Sequence, residues 1–183
     1  MSKFETFAAL HVPGDPVILY NIWDVGSALA VVKAGAKALA TGSHPVGDAS
    51  GFGDAQQVPL DFVFANARRI AEAVDPLPLT VHFDGPYSTR PRQARDNVAL
   101  LAQAGAVGCN FEDQVIGSEG LHPLELQVRR IAAIRSAVGA DFFINARTDL
   151  FLKTQTYDES LVDQVIERGK AFADAGASGF FVP

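Results

Sequence analysis

Two apolar runs break into polar clusters. One is Gly108-Cys109-Asn110-Phe111-Glu112-Asp113-Gln114 and the other Phe142-Phe143-Ile144-Asn145-Ala146-Arg147-Thr148-Asp149. A third, Leu79-Thr80-Val81-His82-Phe83-Asp84, ends the same way. In a strand, side chains alternate between faces, so each run sorts itself. Thr80, His82 and Asp84 share one face, and Leu79, Val81 and Phe83 form an apolar face suited to packing helices. Gly108, Asn110 and Glu112 fall together, with Cys109 and Phe111 on the other side. Phe143, Asn145 and Arg147 form a third polar row. Three charged groups, Asp84, Glu112 and Arg147, are thereby predicted to reach one rim.

Two carboxylates and a guanidinium at adjacent strand ends can do specific chemistry. Asp84 and Glu112 offer hard oxygen donors to a divalent cation, and the planar fork of Arg147 matches a substrate carboxylate. The competing reading is a structural ion network in which the charges only neutralise one another. Strand-end placement favours a site, because parallel α/β folds aim reactive side chains from the carboxyl ends of strands into a crevice.

The elements that position these residues are marked by a recurring phrase: Ala34-Gly35-Ala36, Ala104-Gly105-Ala106 and Ala175-Gly176-Ala177, with a relative at Val138-Gly139-Ala140. Each is followed by an apolar run, as expected of a helix that ends on a left-handed glycine and turns into a strand. Predicted strands are Val17–Asn21, Lys37–Gly42, Leu79–Asp84, Ala106–Asp113, Asp141–Arg147 and Gly179–Pro183. Helices are expected at Val25–Ala34, Leu60–Ala73, Arg92–Ala104, Leu124–Val138 and Glu159–Ala175, where apolar residues recur at mixed three and four spacing. The alternation implies a parallel sheet with right-handed crossovers. Six βα units fit either three-quarters of a (β/α)8 barrel or an open doubly wound sheet. The segment Asn21-Ile22-Trp23-Asp24-Val25-Gly26 lacks the glycine fingerprint of a dinucleotide fold, which favours the barrel.

Composition bounds the rest. The chain has 183 residues, 48% hydrophobic and 20% charged, enough to bury the core of a single domain spanning 1–183. A net charge of -6 and a pI near 5.1 disfavour nucleic acid and anionic membranes as partners. The one cysteine, Cys109, forbids an internal disulfide. The start Met1-Ser2-Lys3-Phe4-Glu5 lacks a signal peptide's apolar stretch, so a cytoplasmic location is expected. Trp23 and Tyr20 are expected in the core.

Six ordered motifs resemble the isocitrate lyase and phosphoenolpyruvate mutase superfamily, metal-dependent (β/α)8 barrels acting on 2-oxo acids and enolpyruvates. They are Leu19-Tyr20-Asn21-Ile22-Trp23-Asp24-Val25-Gly26-Ser27-Ala28, Ala40-Thr41-Gly42-Ser43 with Gly51-Phe52-Gly53-Asp54, His82-Phe83-Asp84-Gly85-Pro86-Tyr87, Gly108-Cys109-Asn110-Phe111-Glu112-Asp113, Asn145-Ala146-Arg147-Thr148-Asp149, and Gly179-Phe180-Phe181-Val182-Pro183. The resemblance implies Mg2+ or Mn2+ held by Asp84 and Glu112, a substrate carboxylate held by Arg147 and by backbone amides at Thr41, Gly42 and Ser43, and a catalytic Asp54 near the reacting atoms, in a role that varies between the family's activities. It also implies a homo-oligomer and a small carboxylate or 2-oxo acid as partner.

Three departures from that pattern shape the expected function. His82 stands where many relatives carry an Asp of the metal shell, and it is either a ligand or a histidine that hydrogen-bonds a water or Asp84. The loop from Asp113 to His122 carries neither the Lys and Cys-Gly-His of isocitrate-type lyases nor the Lys-Asn of mutases, leaving Glu119 and His122 as loop acid–base candidates. The family's last two βα units are missing, so the sequence is expected to be part of a longer barrel. The activity implied is cleavage of a C–C bond beside a carbonyl through a metal-stabilised enolate, with an oxaloacetate-like substrate. Alternatives are a non-catalytic 2-oxo acid binder and a mutase-type P–C bond enzyme.

Overall fold

The computed structural model describes residues 1–154 and 157–183. Among them are six strands, β1 (Asn21–Ile22), β2 (Leu39–Thr41), β3 (Leu79–His82), β4 (Gly108–Glu112), β5 (Phe143–Arg147) and β6 (Gly179–Phe181). Seven helices accompany them: α1 (Lys3–Ala9), α2 (Val25–Lys33), α3 (Ser43–Ser50), α4 (Leu60–Ala73), α5 (Pro91–Gln103), α6 (Leu124–Val138) and α7 (Glu159–Asp174). The strands are all parallel and lie in sequence order, β1-β2-β3-β4-β5-β6. A doubly wound sheet reverses direction at a switch point. None occurs here, and the arrangement is that of a partial (β/α) barrel. None of the described helices is long and apolar enough to cross a membrane.

Strand alternation separates two environments. Val81, Phe83, Cys109, Phe111, Ile144 and Ala146 are buried against helix residues such as Ile70, Val98, Leu101, Ile131 and Ile134. The opposite row, including Thr80, Asn110 and Asn145, lines a lumen of about 330 Å3. Cys109 belongs to the helix side and is fully buried, with burial pushing its thiol up to about 12. The glycine phrases end α2, α5 and α7 as expected: Gly35, Gly105 and Gly176 take φ of 100°, 101° and 103°, a region costly for residues with a Cβ.

Two helices were not expected. The first, α1, is announced by Ser2 and Glu5, whose side chains exchange hydrogen bonds with each other's backbone N–H in a capping box. It closes the lumen at the amino end of the strands. Phe7 packs edge-on against Phe143 at 5.2 Å, and His11 stacks on the same ring at 4.6 Å. The second, α3, has the poor helix sequence Ser-His-Pro-Val-Gly-Asp-Ala-Ser. Its proline stands in the first turn, where backbone N–H groups have no intrahelical partner to lose. The expected strand Val17–Asn21 shrinks to Asn21–Ile22, because β1 is hydrogen-bonded to one neighbour only and Ile18 and Tyr20 are exposed. Trp23 is likewise exposed, against the expectation of a core position.

Truncating the plug of the lumen should be costly. Phe7→Ala removes a ring that is 2% exposed, and such truncations cost about 3–5 kcal/mol. Urea denaturation followed by circular dichroism should register that loss; an unchanged midpoint would mean that α1 does not close the barrel floor.

Candidate metal and carboxylate site

The carboxyl ends of β3 and β4 bring three ligating side chains together. His82 ends β3, Asp84 follows two residues later, and Glu112 ends β4. Their donor atoms all lie within 4.8 Å of one another. His82 Nε2 stands 3.4 Å from Asp84 Oδ1 and 3.5 Å from Glu112 Oε2. Glu112 Oε1 accepts from Gln114 Nε2 at 2.8 Å, whereas the buried Oε2 has no protein partner. Burial pushes both carboxyls above the ordinary carboxylate range, against the opposing pull of His82 on each. A carboxylate oxygen buried without a partner, facing an imidazole and a second carboxylate, is a donor set that fits a divalent cation.

A guanidinium stands beside this group by sheet register. Arg147 is paired with Glu112 across β4 and β5. Its Nε donates to Asp149 Oδ1, and its guanidinium carbon lies 5.3 Å from the Phe181 ring centroid on β6. Asp149 is fixed in turn, since its backbone N–H donates to Asp113 Oδ1 at 3.0 Å. Asp113 also accepts from Thr148 Oγ1 at 2.7 Å and from Arg168 of α7 at 2.9 Å. Adjacent acids in the sequence thus serve opposite sides: Glu112 faces the pocket, and Asp113 ties β5 to the helix layer.

The opposite wall is the start of α3. Gly42 caps it and its own N–H is taken by Ile22 O at 3.3 Å. The N–H groups of Ser43 and His44 begin the helix, where the backbone dipole favours an anion. Glycine is needed at this point: a Cβ at Gly42 would lie 2.8 Å from Pro45 Cγ and 3.0 Å from Asn21 Nδ2. His44 sits between two carboxylates, Nδ1 at 3.4 Å from Asp54 and Nε2 at 3.2 Å from Asp48. Asp54 is about half exposed at the mouth.

The loops that carry these groups are strained and clamped. Asp84 has φ of 45°, and Ala55 and Gln56 on the facing loop have 58° and 64°, a region sparsely used by such residues. The clamp is Arg130 of α6, which is fully buried. It donates to Gly85 O, to Ser88 O at 3.2 Å and to Gln127 Oε1 at 2.7 Å. Burial lowers its pKa to about 10, opposed by the charges of Asp113 and Glu112. Arg130 therefore anchors the turn after Asp84 from behind.

Seven of the candidate residues singled out by sequence converge, while Thr41, Glu119 and His122 do not. Gly42, Ser43, Asp54, His82, Asp84, Glu112 and Arg147 line one cavity of about 240 Å3. Thr41 lies lower, in the wall of the lumen and of a small interior cavity. From the loop after β4 the cavity receives Gln114 and Ile116. His122 is buried, with its pKa lowered by desolvation and by Arg130, and Glu119 is exposed. Neither lines the pocket. Arg130 and Asp149 were not foreseen. Asp149 stands two residues from Arg147, but the carbonyls that Arg130 clamps, those of Gly85 and Ser88, are more than 40 residues away in sequence and leave no local signal.

Comparison with known proteins places this geometry. Residues 7–183 match the family model described as phosphoenolpyruvate phosphomutase. An uncharacterized protein of Mycobacterium tuberculosis (strain H37Rv) is 34% identical over 180 residues, covering 97% of this chain and 65% of the relative. A "probable 2-methylisocitrate lyase 2" of Corynebacterium glutamicum is 32% identical over 163 residues, 85% of this chain and 50% of that protein. The crystal structure of a candidate phosphonomutase from Burkholderia cenocepacia J2315 superposes with a TM-score of 0.95 at 44% identity, covering 99% of this chain and 74% of that one. The chain therefore spans half to two thirds of the length of these two curated relatives.

Asp113→Ala should destabilise the protein by about 3 kcal/mol or more, because it leaves the Arg168 charge without its carboxylate and strips the Asp149 N–H of its acceptor. Chemical denaturation measures this directly. A loss below about 1 kcal/mol would show that Asp113 does not anchor β5.

Proposed function

The chain belongs to the phosphoenolpyruvate phosphomutase family, within the isocitrate lyase and PEP mutase superfamily, and from that premise we propose that its pocket cleaves a C–C bond beside the carbonyl of a small 2-oxo acid, with a β-carboxylate substrate of the oxaloacetate type. The observation that carries this reading is one cavity holding His82, Asp84 and Glu112 on one side and Arg147 with the start of α3 on the other. Such a cavity can hold a carbonyl at one end of a short substrate and a carboxylate at the other.

His82, Asp84 and Glu112 would hold a divalent cation, which when bound polarises the carbonyl and takes up the charge that gathers on its oxygen as the bond breaks. Arg147, oriented by Asp149, grips the 1-carboxylate together with the Ser43 and His44 amides. The leaving carboxylate departs as carbon dioxide, and its bonding electrons pass toward the carbonyl. A proton then returns to the carbon, and Asp54 with His44, at the solvent-facing mouth, orders the water that delivers it.

The loop after β4 supports this reading over the family's other activities. It places an amide, Gln114, and an alkyl group, Ile116, in the pocket, and neither can serve as the proton-transfer group that cleavage of a hydroxy tricarboxylate requires. Loss of carbon dioxide needs no base on the substrate. Phosphonate chemistry is disfavoured by charge, since among the described lining residues Arg147 is the only Lys or Arg beside three carboxylates, and a phosphonate group can carry two negative charges where a β-carboxylate carries one. The same bare loop favours one other reading, a protein that binds a 2-oxo acid without turning it over.

Turnover separates the two. The intact chain with a divalent cation should release carbon dioxide from oxaloacetate faster than the cation alone, and Glu112→Gln should lower kcat by about 100-fold or more with an unchanged circular dichroism spectrum. Arg147→Lys should chiefly raise KM, by about tenfold, as a bidentate grip is lost. Metal-dependent oxalate binding without turnover of any oxo acid would instead establish the binding protein.

A further inference from the structure

The spacing of the three ligating groups carries more than the presence of a cation. Neither contact of His82 Nε2 is a well-formed hydrogen bond, at 3.4 Å to Asp84 Oδ1 and 3.5 Å to Glu112 Oε2, because N–H···O bonds close at about 2.7–3.2 Å. Two donors that ligate one ion at about 2.1 Å stand roughly 3.0 Å apart when octahedral and roughly 3.4 Å apart when tetrahedral. The two separations from His82 Nε2 fit donors that share an ion between them, at the wider end of that range. Glu112, 2% exposed, aims its unpartnered Oε2 into the same gap. The second ring nitrogen, Nδ1, is buried without a protein partner. The lumen that His82 also lines, about 330 Å3 with Asn110 and Asn145 in its wall, has room for the water that a ligating imidazole needs on its other side.

Building on the reading of this triad as a metal centre, we infer that His82 Nε2 is a direct ligand and that the site selects a first-row transition cation, of which Mn2+ is the simplest probe, over Mg2+. Mg2+ demands oxygen donors in near-ideal octahedral geometry and gives up its water reluctantly. Imidazole suits the transition cations, whose affinities for mixed N and O sites rise from Mn2+ to Cu2+. One imidazole among two carboxylates thus penalises Mg2+ and leaves Mn2+ and its heavier neighbours unpenalised. Asp84 and Glu112 give the affinity, and His82 gives the selectivity.

The test is binding, independent of turnover. Calorimetric titration of the untagged chain should show Mn2+ binding at least tenfold tighter than Mg2+, and pulsed EPR of the bound Mn2+ should show coupling to one nitrogen. His82→Asp should bring the two affinities within about threefold and abolish the nitrogen coupling, with the folded state of the variant checked by circular dichroism. His44→Gln should retain the coupling, since His44 with Asp48 and Asp54 is the other histidine–carboxylate group near the mouth. Equal affinity for both cations in the intact chain, or Mn2+ bound without nitrogen coupling, would overturn the inference while leaving the metal centre standing. Failure of both cations to bind, or binding unaffected by Glu112→Gln, would overturn the metal centre itself.

Discussion

A carboxylate oxygen of Glu112, buried at a strand end without a hydrogen-bond donor, is the constraint around which the rest of the molecule is arranged. An ionised oxygen in such a place costs several kcal/mol unless a positive charge reaches it. The groups within reach are the His82 imidazole on the next strand, Arg147 across the β4–β5 register, and a cation that Glu112, His82 and Asp84 would hold between them. The sheet supplies the first two by pairing alone: His82 lies opposite Asn110, and Glu112 lies opposite Arg147. A slip of one residue in either pairing would turn the polar row toward the helices, so hydrophobic burial of Val81, Cys109, Phe111 and Ile144 also fixes the geometry of the site.

That dependence explains what the sequence made legible. Period-two alternation sorted Thr80 and His82, Asn110 and Glu112, and Asn145 and Arg147 correctly, because parity in a strand is dictated by backbone geometry and by one apolar face. Asp84 is different. It lies beyond the end of β3, and it reaches the site through a left-handed backbone angle held by the turn behind it. Its side chain was assigned to the right face by extending the strand two residues further than the strand runs. Helix α3 escaped notice because Pro45 and Gly47 argue against a helix, and the tolerance of a first turn for proline appears only once the helix is known to begin there. Asp149 and Arg130 escaped for another reason: each acts by holding a group whose own position depends on tertiary packing.

These holding groups have a common logic. Site residues lie on turns that would otherwise relax, and each turn is fixed by a buried polar group rooted in the sheet or a helix. Arg130 from α6 takes the carbonyls of Gly85 and Ser88, which keeps the Asp84 turn in place. Asp113 takes the backbone of Asp149, and the side chain of Asp149 then sets the direction of Arg147. Buried networks of this kind restrict the turns to one geometry, even though Arg130 Nε, Gln127 Nε2 and Asp149 Oδ2 have no protein partner. The groups nearest solvent, Asp54 and His44, have no such anchorage. They belong to the part of the pocket where water and substrate must pass.

Charge at the pocket argues for the same division of labour. Asp54, Asp84 and Glu112 face one guanidinium, so without a cation the described lining is net negative and would repel an anionic substrate. A divalent ion between Asp84 and Glu112 brings the lining to approximate neutrality, and the amide end of α3 then tips the far wall positive. On the proposed reaction, substrate affinity would be conditional on metal: an ion held there would help draw in the carboxylate as well as supply the charge that polarises the carbonyl. In such a site the identity of the ion depends on the one neutral donor, His82, because both carboxylates accept any hard dication and imidazole does not.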